Sequence, residues 1–574
     1  MPGGLLNIIS YGNQNIIVNG NPSKTFFKTV YSKYTNFGMQ KFRIDHEGQR
    51  NLKLNEETIL TFKIPRNAEL LMDAYLVFNL PDIWSTIIPP KQTSKTWRPY
   101  NFRWISHIGA NIIKKMSVSI GGQKIQEYTG DYLKNMVERD FSQTKKELFY
   151  KMIGHTKELY EPDNAFSRID RYPNSFYLTP KVRTTTDPNT NFSDWSTPSI
   201  NGRTIYVPLH FWFMNSPKMS LPLVALQYNE VTIDITLRPI KELFTIQDVS
   251  IENSKGLTPI QPDFKNELHS MYRFLQPPPN ILLTAGDYEN KNNSWNTDIH
   301  LMSTYGFLTD EEAKIFALNE QRYLIKDIKE TIYPNITGNN RVRLHTTALV
   351  CSWMWVFKRN DVYKRNEWSN YSNWDYSNKV PIELIEAPTE QYNFTLNDKF
   401  FGPGIDYINI AAIGEPAVYE TSFNDYFICD YLNTKIKREI LTRLSIIFDG
   451  QLREDSLESG VFNFIEKYKN STGNSDDYIY SYSFSLNTSL FELQPSGAIN
   501  LSKFKTVELD ISTILPDIDE TNSAFITICD AEGAIIGTTQ GNTLYKYTYD
   551  LFFTEERYNL LRFISGQASL VYAR

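Results

Sequence analysis

A twelve-residue stretch recurs 328 positions further along this chain (444 − 116), and that echo constrains the fold more than any other feature. The first copy is Met116 to Glu127, Met-Ser-Val-Ser-Ile-Gly-Gly-Gln-Lys-Ile-Gln-Glu. Met116, Val118 and Ile120 alternate with Ser117 and Ser119, the period of a half-buried strand, and Gly121-Gly122 suits a hairpin turn that needs positive φ. The second copy, Leu444 to Asp455, repeats the strand, the turn glycine and the following glutamine. Strand-turn units are common in all-β proteins, so the echo gains weight only from its flanks.

The flanks match in the same order. Upstream lie the apolar segments Leu71 to Pro81 and Ala348 to Phe357. Downstream, Leu209 to Asn215, Pro222 and the strand Val231 to Leu237 correspond to Tyr482 to Asn487, Pro495 and the strand Val507 to Ser512. Three ordered matches imply an internal duplication. The expectation is an all-β chain of two tandem β-domains of one design, with long loop insertions and a few short helices. Its 574 residues suffice for two large sandwiches. Aromatics at 14%, with 35 Tyr and 35 Phe, favour strands over helices.

Insertions break the symmetry. Between the repeat and the matched asparagine the first half holds 99 residues (215 − 116) and the second 43 (487 − 444), which places an insertion at about 130–202. Helical patterning occupies its start: Leu133, Met136 and Val137 share a face, Thr144 and Glu147 have capping-box spacing, and Gly154 closes a helix. A second insertion, at about 358–440, contains Trp368, Trp374 and Gly402-Pro403-Gly404. Insertions that differ between two similar frames are expected at sheet ends, facing solvent or partners. Prolines 239, 259, 262 and 277–279 argue against continuous sheet. The expected division is an amino-terminal arm over 1–30, a first domain over 31–245, a linker over 246–297 and a second domain over 298–574. That second domain opens with a strand at Ile299 to Phe307 and a helix capped by Asp310. It closes with a strand at Tyr545 to Phe553 and an apolar tail, Leu560 to Ala573. Thr25 to Tyr31 reads either as a first strand or as part of an arm that packs on a neighbouring subunit.

Little chemistry is visible. A net charge of −6 lacks the basic excess of a dedicated nucleic-acid binder. Cys351, Cys429 and Cys529 form no CxxC pair, and their odd number points to reduced, cytosolic synthesis. Neither a charged and apolar leader nor an apolar run of membrane-spanning length is present, so a membrane would lie beside this protein. The seven histidines make no HxH or HExxH spacing, and His107 and His210 read as packed or surface residues rather than ligands. There is no phosphate-binding glycine loop and no GxSxG elbow. No catalytic, cofactor or metal residue is therefore assigned. Trp368 to Trp374, with Tyr371 and Tyr376, offers a sugar-stacking loop, but interface packing is the favoured reading. The sequons at Asn191 and Asn335 are expected by chance in so Asn-rich a chain.

Several blocks resemble the major capsid proteins of nucleocytoplasmic large DNA viruses. They are Asn21-Pro22 through Tyr31 and Thr35 to Phe37, Pro65-Arg66 with Glu69 to Leu71, and Leu209 to Phe213 with Leu221 to Val231. The second half adds Tyr323 to Ile325, Tyr482 to Phe484 and Pro495 to Asn500 with Ser502. Asn229 stands where that family usually has histidine, and Ala313-Lys314 replace a commonly basic pair. The resemblance implies two eight-stranded jelly rolls side by side, no catalysis and no cofactor. It also implies a homotrimer of pseudo-hexagonal outline tiling an icosahedral shell. Partners would be neighbouring capsomers and minor capsid proteins, close to an inner viral membrane, with no direct nucleic-acid contact. Such a protein would reside in the virion after synthesis and assembly in the host cytoplasm. Alternatives are a scaffold or minor capsid protein of the same fold, or a carbohydrate-binding β-sandwich.

Overall fold

The computed structural model describes residues 3–48, 51–88, 98–168, 171–175, 197–247, 249, 259–279, 288–373, 439–516 and 547–572, with backbone alone for 383–385, 427–429, 527–529 and 535–538. Eight main strands build the first half: β1 (Phe37–Asp45), β2 (Thr58–Lys63), β3 (Tyr75–Leu80), β4 (Ile113–Ile120), β5 (Gln123–Tyr128), β6 (Arg203–Pro208), β7 (Val231–Leu237) and β8 (His300–Leu308). Eight more build the second: β9 (Gln321–Ile336), β10 (Asn339–Leu344), β11 (Leu349–Arg359), β12 (Leu441–Phe448), β13 (Gln451–Glu458), β14 (Tyr480–Ser483), β15 (Val507–Thr513) and β16 (Tyr549–Ile564).

All these pairs are antiparallel. The first half has sheets ordered β1-β8-β3-β6 and β2-β7-β4-β5. The second has β9-β16-β11-β14 and β10-β15-β12-β13, the same order with eight added to each index. Each half is thus a jelly roll, and the chain is a double jelly roll. The repeated stretch is the β4-β5 hairpin and its counterpart β12-β13. Both turns place two successive residues at positive φ, Gly121 and Gly122 at 57° and 79°, Asp449 and Gly450 at 49° and 80°. That is the geometry in which a two-residue turn matches strand twist. β7 and β15 share one burial alternation, each with its odd positions inside the sandwich.

Four sequence expectations are corrected. The strand at 299–307 does not open the second roll: as β8 it pairs along all of β1 and with β3, closing the first sheet. Alternation reveals a strand but not its partner. The crossover between rolls is instead helix α3 (Asp310–Leu318), whose cap residue is Thr309, with Asp310 in the first helical position. The tail from Leu560 does not exist as such, because β16 runs unbroken through it and turns back into Gln567–Leu570. The charged run Glu555-Glu556-Arg557 is buried mid-strand. Finally, α2 (Gln143–Met152) starts after Ser142, so Thr144 and Glu147 form no capping box. Gly154, at φ 76°, follows its end as expected.

The proline-rich connection is not free either. Met271 and Phe274 lie in the first roll's core, and Trp84 N donates to Phe274 O at 2.9 Å. Residues 3–36 lie outside both sandwiches.

Candidate assembly site: the seam between the rolls

β11 reads as one apolar run because both of its faces are covered. Trp353, Trp355 and Phe357 point into the second roll's own core, whereas Met354 and Val356 join a cluster that belongs mostly to the first roll. Tyr323, Ile325, Leu561 and Phe563 from β9 and β16 join it too. One continuous apolar core therefore crosses from roll to roll.

Helix α1 (Gly130–Asp140) fills this seam and is buried along nearly its whole length despite Asp131, Lys134, Glu138, Arg139 and Asp140. A helix leaves its terminal N–H and C=O groups unpaired. Here the second roll supplies partners at both ends. At the start, Thr129 N and Oγ1 donate to the two carboxylate oxygens of Glu330 at 2.8 and 2.7 Å, while Thr129 Oγ1 accepts from Tyr132 N. At the end, Gly473 N donates to Arg139 O at 2.9 Å and Thr472 Oγ1 donates to Asp140 O at 2.5 Å. Gly473 is required there, since a Cβ would sit 2.4 Å from Arg139 O.

The helix's charges are paired in the same way. Arg139 donates to Asp140 at 2.9 and 2.8 Å and to Glu556 at 2.7 Å, with no exposure of any of the three side chains. Glu556 also accepts from Tyr132 at 3.0 Å and Ser352 at 2.5 Å. Burial would raise the Glu556 carboxyl, but the charges of Arg139 and Lys326 and these hydrogen bonds hold it below the usual carboxylate range. Lys358 donates to Asp131 at 2.7 Å, and burial lowers the lysine despite that partner. Glu330 is pushed up to about 7 by burial, which outweighs its bonds from Thr129.

The second roll's insertion grips the first in return. Trp368 Nε1 donates to Glu242 O at 3.0 Å, and the Arg238 guanidinium lies 3.8 Å from its ring centre. Tyr371 is buried and donates to Asn135 Oδ1 at 2.8 Å. Asn366 Nδ2 donates to Lys241 O and Phe244 O at 2.7 and 2.8 Å. These aromatics fill packing between the rolls, as favoured over sugar stacking; Trp374, Tyr376, Gly402 to Gly404 and Asn191 lie outside the described residues. The insertions were expected to face solvent or partners, and α1 in the first and residues 366–371 in the second face the other roll of the same chain. Sequence reasoning missed Glu330, Arg139 and Glu556, whose partners lie hundreds of residues away. The one available signal was a strongly charged helix carrying an apolar stripe.

The histidines singled out by sequence are packing residues. His107 stacks on His155 with ring centres 3.6 Å apart, and His210 meets Phe141 edge-on at 5.2 Å. Burial lowers all three, His155 and His210 to about 4. Cys351 is buried and pushed up to about 11. Asn335 holds Thr548 Oγ1 at 3.0 Å. Among the described residues no three His, Cys, Asp or Glu side chains converge as a metal site, and no helix is long and apolar enough to cross a membrane.

Comparison with known proteins accounts for both halves. Residues 25–276 match the major capsid protein N-terminus, and residues 312–569 match the large eukaryotic DNA virus major capsid protein. The chain belongs to the major capsid protein family of the large eukaryotic DNA viruses. It is 25% identical to the major capsid protein of Phaeocystis pouchetii virus over 616 residues and 24% identical to that of Paramecium bursaria Chlorella virus 1 over 583, covering 100% of both partners each time. The solved PBCV-1 virus capsid protein superimposes with a TM-score of 0.57 at 20% identity, covering 96% of this chain and 100% of that one. The Faustovirus major capsid protein gives 0.56 at 12% identity, covering 94% and 93%. Major capsid proteins are structural, not enzymatic, so the seam is a joint within a building block.

Proposed function

We propose that three copies of this chain form a trimeric capsomer whose six jelly rolls give a pseudo-hexagonal outline, and that these capsomers tile an icosahedral capsid. The observation that carries this reading is the repetition of one strand order in two rolls joined by a buried seam. Each chain thereby offers two similar wedges on one rigid joint, and threefold closure of such a unit gives near-sixfold outline. Exposed apolar residues on α3, Ile315 and Leu318, and Tyr228 supply surface for obligate contacts, which bury roughly 2,000–5,000 Å² or more. Capsomer contacts can be individually weaker because they repeat across the shell. Neighbouring capsomers, minor capsid proteins and an underlying viral membrane are the partners in this reading. Synthesis and assembly in the host cytoplasm belong to it as well, supported by an odd number of cysteines with no CxxC pair. The test is the native mass of the purified chain: a stable trimer near three times 66.8 kDa is expected. A chain that stays monomeric at micromolar concentration would overturn the proposal.

A further inference from the structure

Residues 1–44 carry five basic side chains, Lys24, Lys28, Lys33, Lys41 and Arg43, and no acidic one. The rest of the chain then has a net charge of −11 (−6 − 5). Such asymmetry marks a segment that meets an anionic partner. The same segment is apolar in three short clusters, 5–9, 16–18 and 26–31, separated by Gly12-Asn13 and Gly20-Asn21-Pro22. Among the described residues, nothing covers them. Every residue from 3 to 41 is exposed except Asn15, with Ile17 at 87% and Phe27 at 98%. Among the described residues, the hydrogen bonds of 3–33 stay within the segment. So much uncovered apolar surface calls for a second phase or a partner.

We infer that residues 3–36 dock on an anionic lipid surface, as an interfacial anchor separate from the shell-building faces. Three features favour lipid over protein. The cations nearest the aromatic cluster, Lys24, Lys28 and Lys33, are of the type depleted from protein interface cores yet attracted to anionic headgroups. Phe26, Phe27, Tyr31 and Tyr34 are amphipathic or apolar rings suited to the bilayer boundary. The clusters are only a few residues long and joined by turn-forming glycine and asparagine, so they share no single complementary face, and a bilayer demands none. A purely nucleic-acid arm would not need exposed Leu5, Leu6, Ile16 and Ile17.

The test is flotation of the full chain with phosphatidylcholine vesicles with and without phosphatidylserine, at low and high salt. Partition onto the anionic vesicles is expected, weakening about fivefold for each Lys→Gln change at Lys24, Lys28 and Lys33, the factor that ~1 kcal/mol per basic residue gives. Added salt should weaken it similarly. Phe26→Ser with Phe27→Ser should also reduce it, and removal of residues 2–34 should abolish it. Native mass and unfolding of these variants should match the parent, since the segment's described contact with a roll is the ring of Tyr34 beside that of Phe37 in β1, and this readout separates failure of the anchor from failure of the trimer. No partition, or partition unchanged by the deletion, overturns the inference. So does protection of the segment from protease in a lipid-free oligomer, which would make a second copy its occupant, or tighter retention on DNA than on vesicles.

Discussion

Arg139→Met removes the guanidinium shared by two fully buried carboxylates, Asp140 and Glu556. It deletes three charge-assisted bonds, at 2.9, 2.8 and 2.7 Å. Glu556 keeps Tyr132 and Ser352, and Asp140 keeps Thr488 Oγ1 at 2.7 Å, so neither oxygen set is stripped bare. What is lost is positive charge in a fully buried site, and breaking a buried pair by removing one partner costs about 3–5 kcal/mol. The pH dependence follows in sign. In the parent, Glu556 is held below its unfolded value, so its contribution is present above that value and is lost as pH falls through the folded one. In Arg139→Met burial prevails and raises Glu556, so the variant instead loses stability as pH rises. The gap between parent and variant should therefore widen as pH rises from the ordinary carboxylate value of 4.5. Urea unfolding read by tryptophan emission measures it, with Trp104 and Trp212 reporting the first roll and Trp353 and Trp355 the second. Because one apolar core spans the seam and the substitution leaves it in place, parent and variant should each unfold in one transition, the variant at lower urea. A cost below about 1 kcal/mol, or one that does not change with pH, would refute the assignment of an ionised Glu556 beside Arg139.

Three further outcomes are expected. Gly473→Ala should destabilise by about 1–3 kcal/mol, because the new Cβ collides with Arg139 O and displaces the loop that caps α1; hydrogen exchange at α1's carboxyl end should rise. Trp368→Ala should cost about 2 kcal/mol through loss of the Glu242 bond and the Arg238 stack, measured as a shift in unfolding midpoint, while Trp368→Phe should recover part of it. Glu330, raised to about 7 from an ordinary 4.5, favours the fold fully below the ordinary value, and this advantage is lost as pH rises to about 7. The stability difference between Glu330→Gln and the parent should therefore move in favour of glutamine across that window, and a flat difference would contradict a buried, neutral Glu330.

Much of the frame was legible because strand periodicity and turn chemistry are local. The repeat found both β4-β5 and β12-β13, since two residues at positive φ must be drawn from a narrow set. The matched strands expected at Val231 to Leu237 and Val507 to Ser512 are β7 and β15. Failures share one cause, dependence on distant partners. The strand at 299–307 was recognisable, but only β1 and β3 fix its membership of the first roll. Nothing local marks Glu555 to Arg557 as buried, yet Arg139 and Asp327 pair with this run inside the molecule, the latter with Arg557 at 2.6 Å. The insertions gave no local sign of which partner they face, because Thr129, Arg139 and Trp368 find theirs on the opposite roll.

The sequence by itself determined that this protein is two copies of one β-architecture, with an apolar and basic segment ahead of them. Alternating side chains and permissive turn residues encode those features within windows of a dozen positions. Only the tertiary structure decided which strand closes which roll and how the copies are joined. A buried ion pair such as Arg139–Glu556 spans 417 positions, and its stability depends on the exclusion of water by everything packed around it.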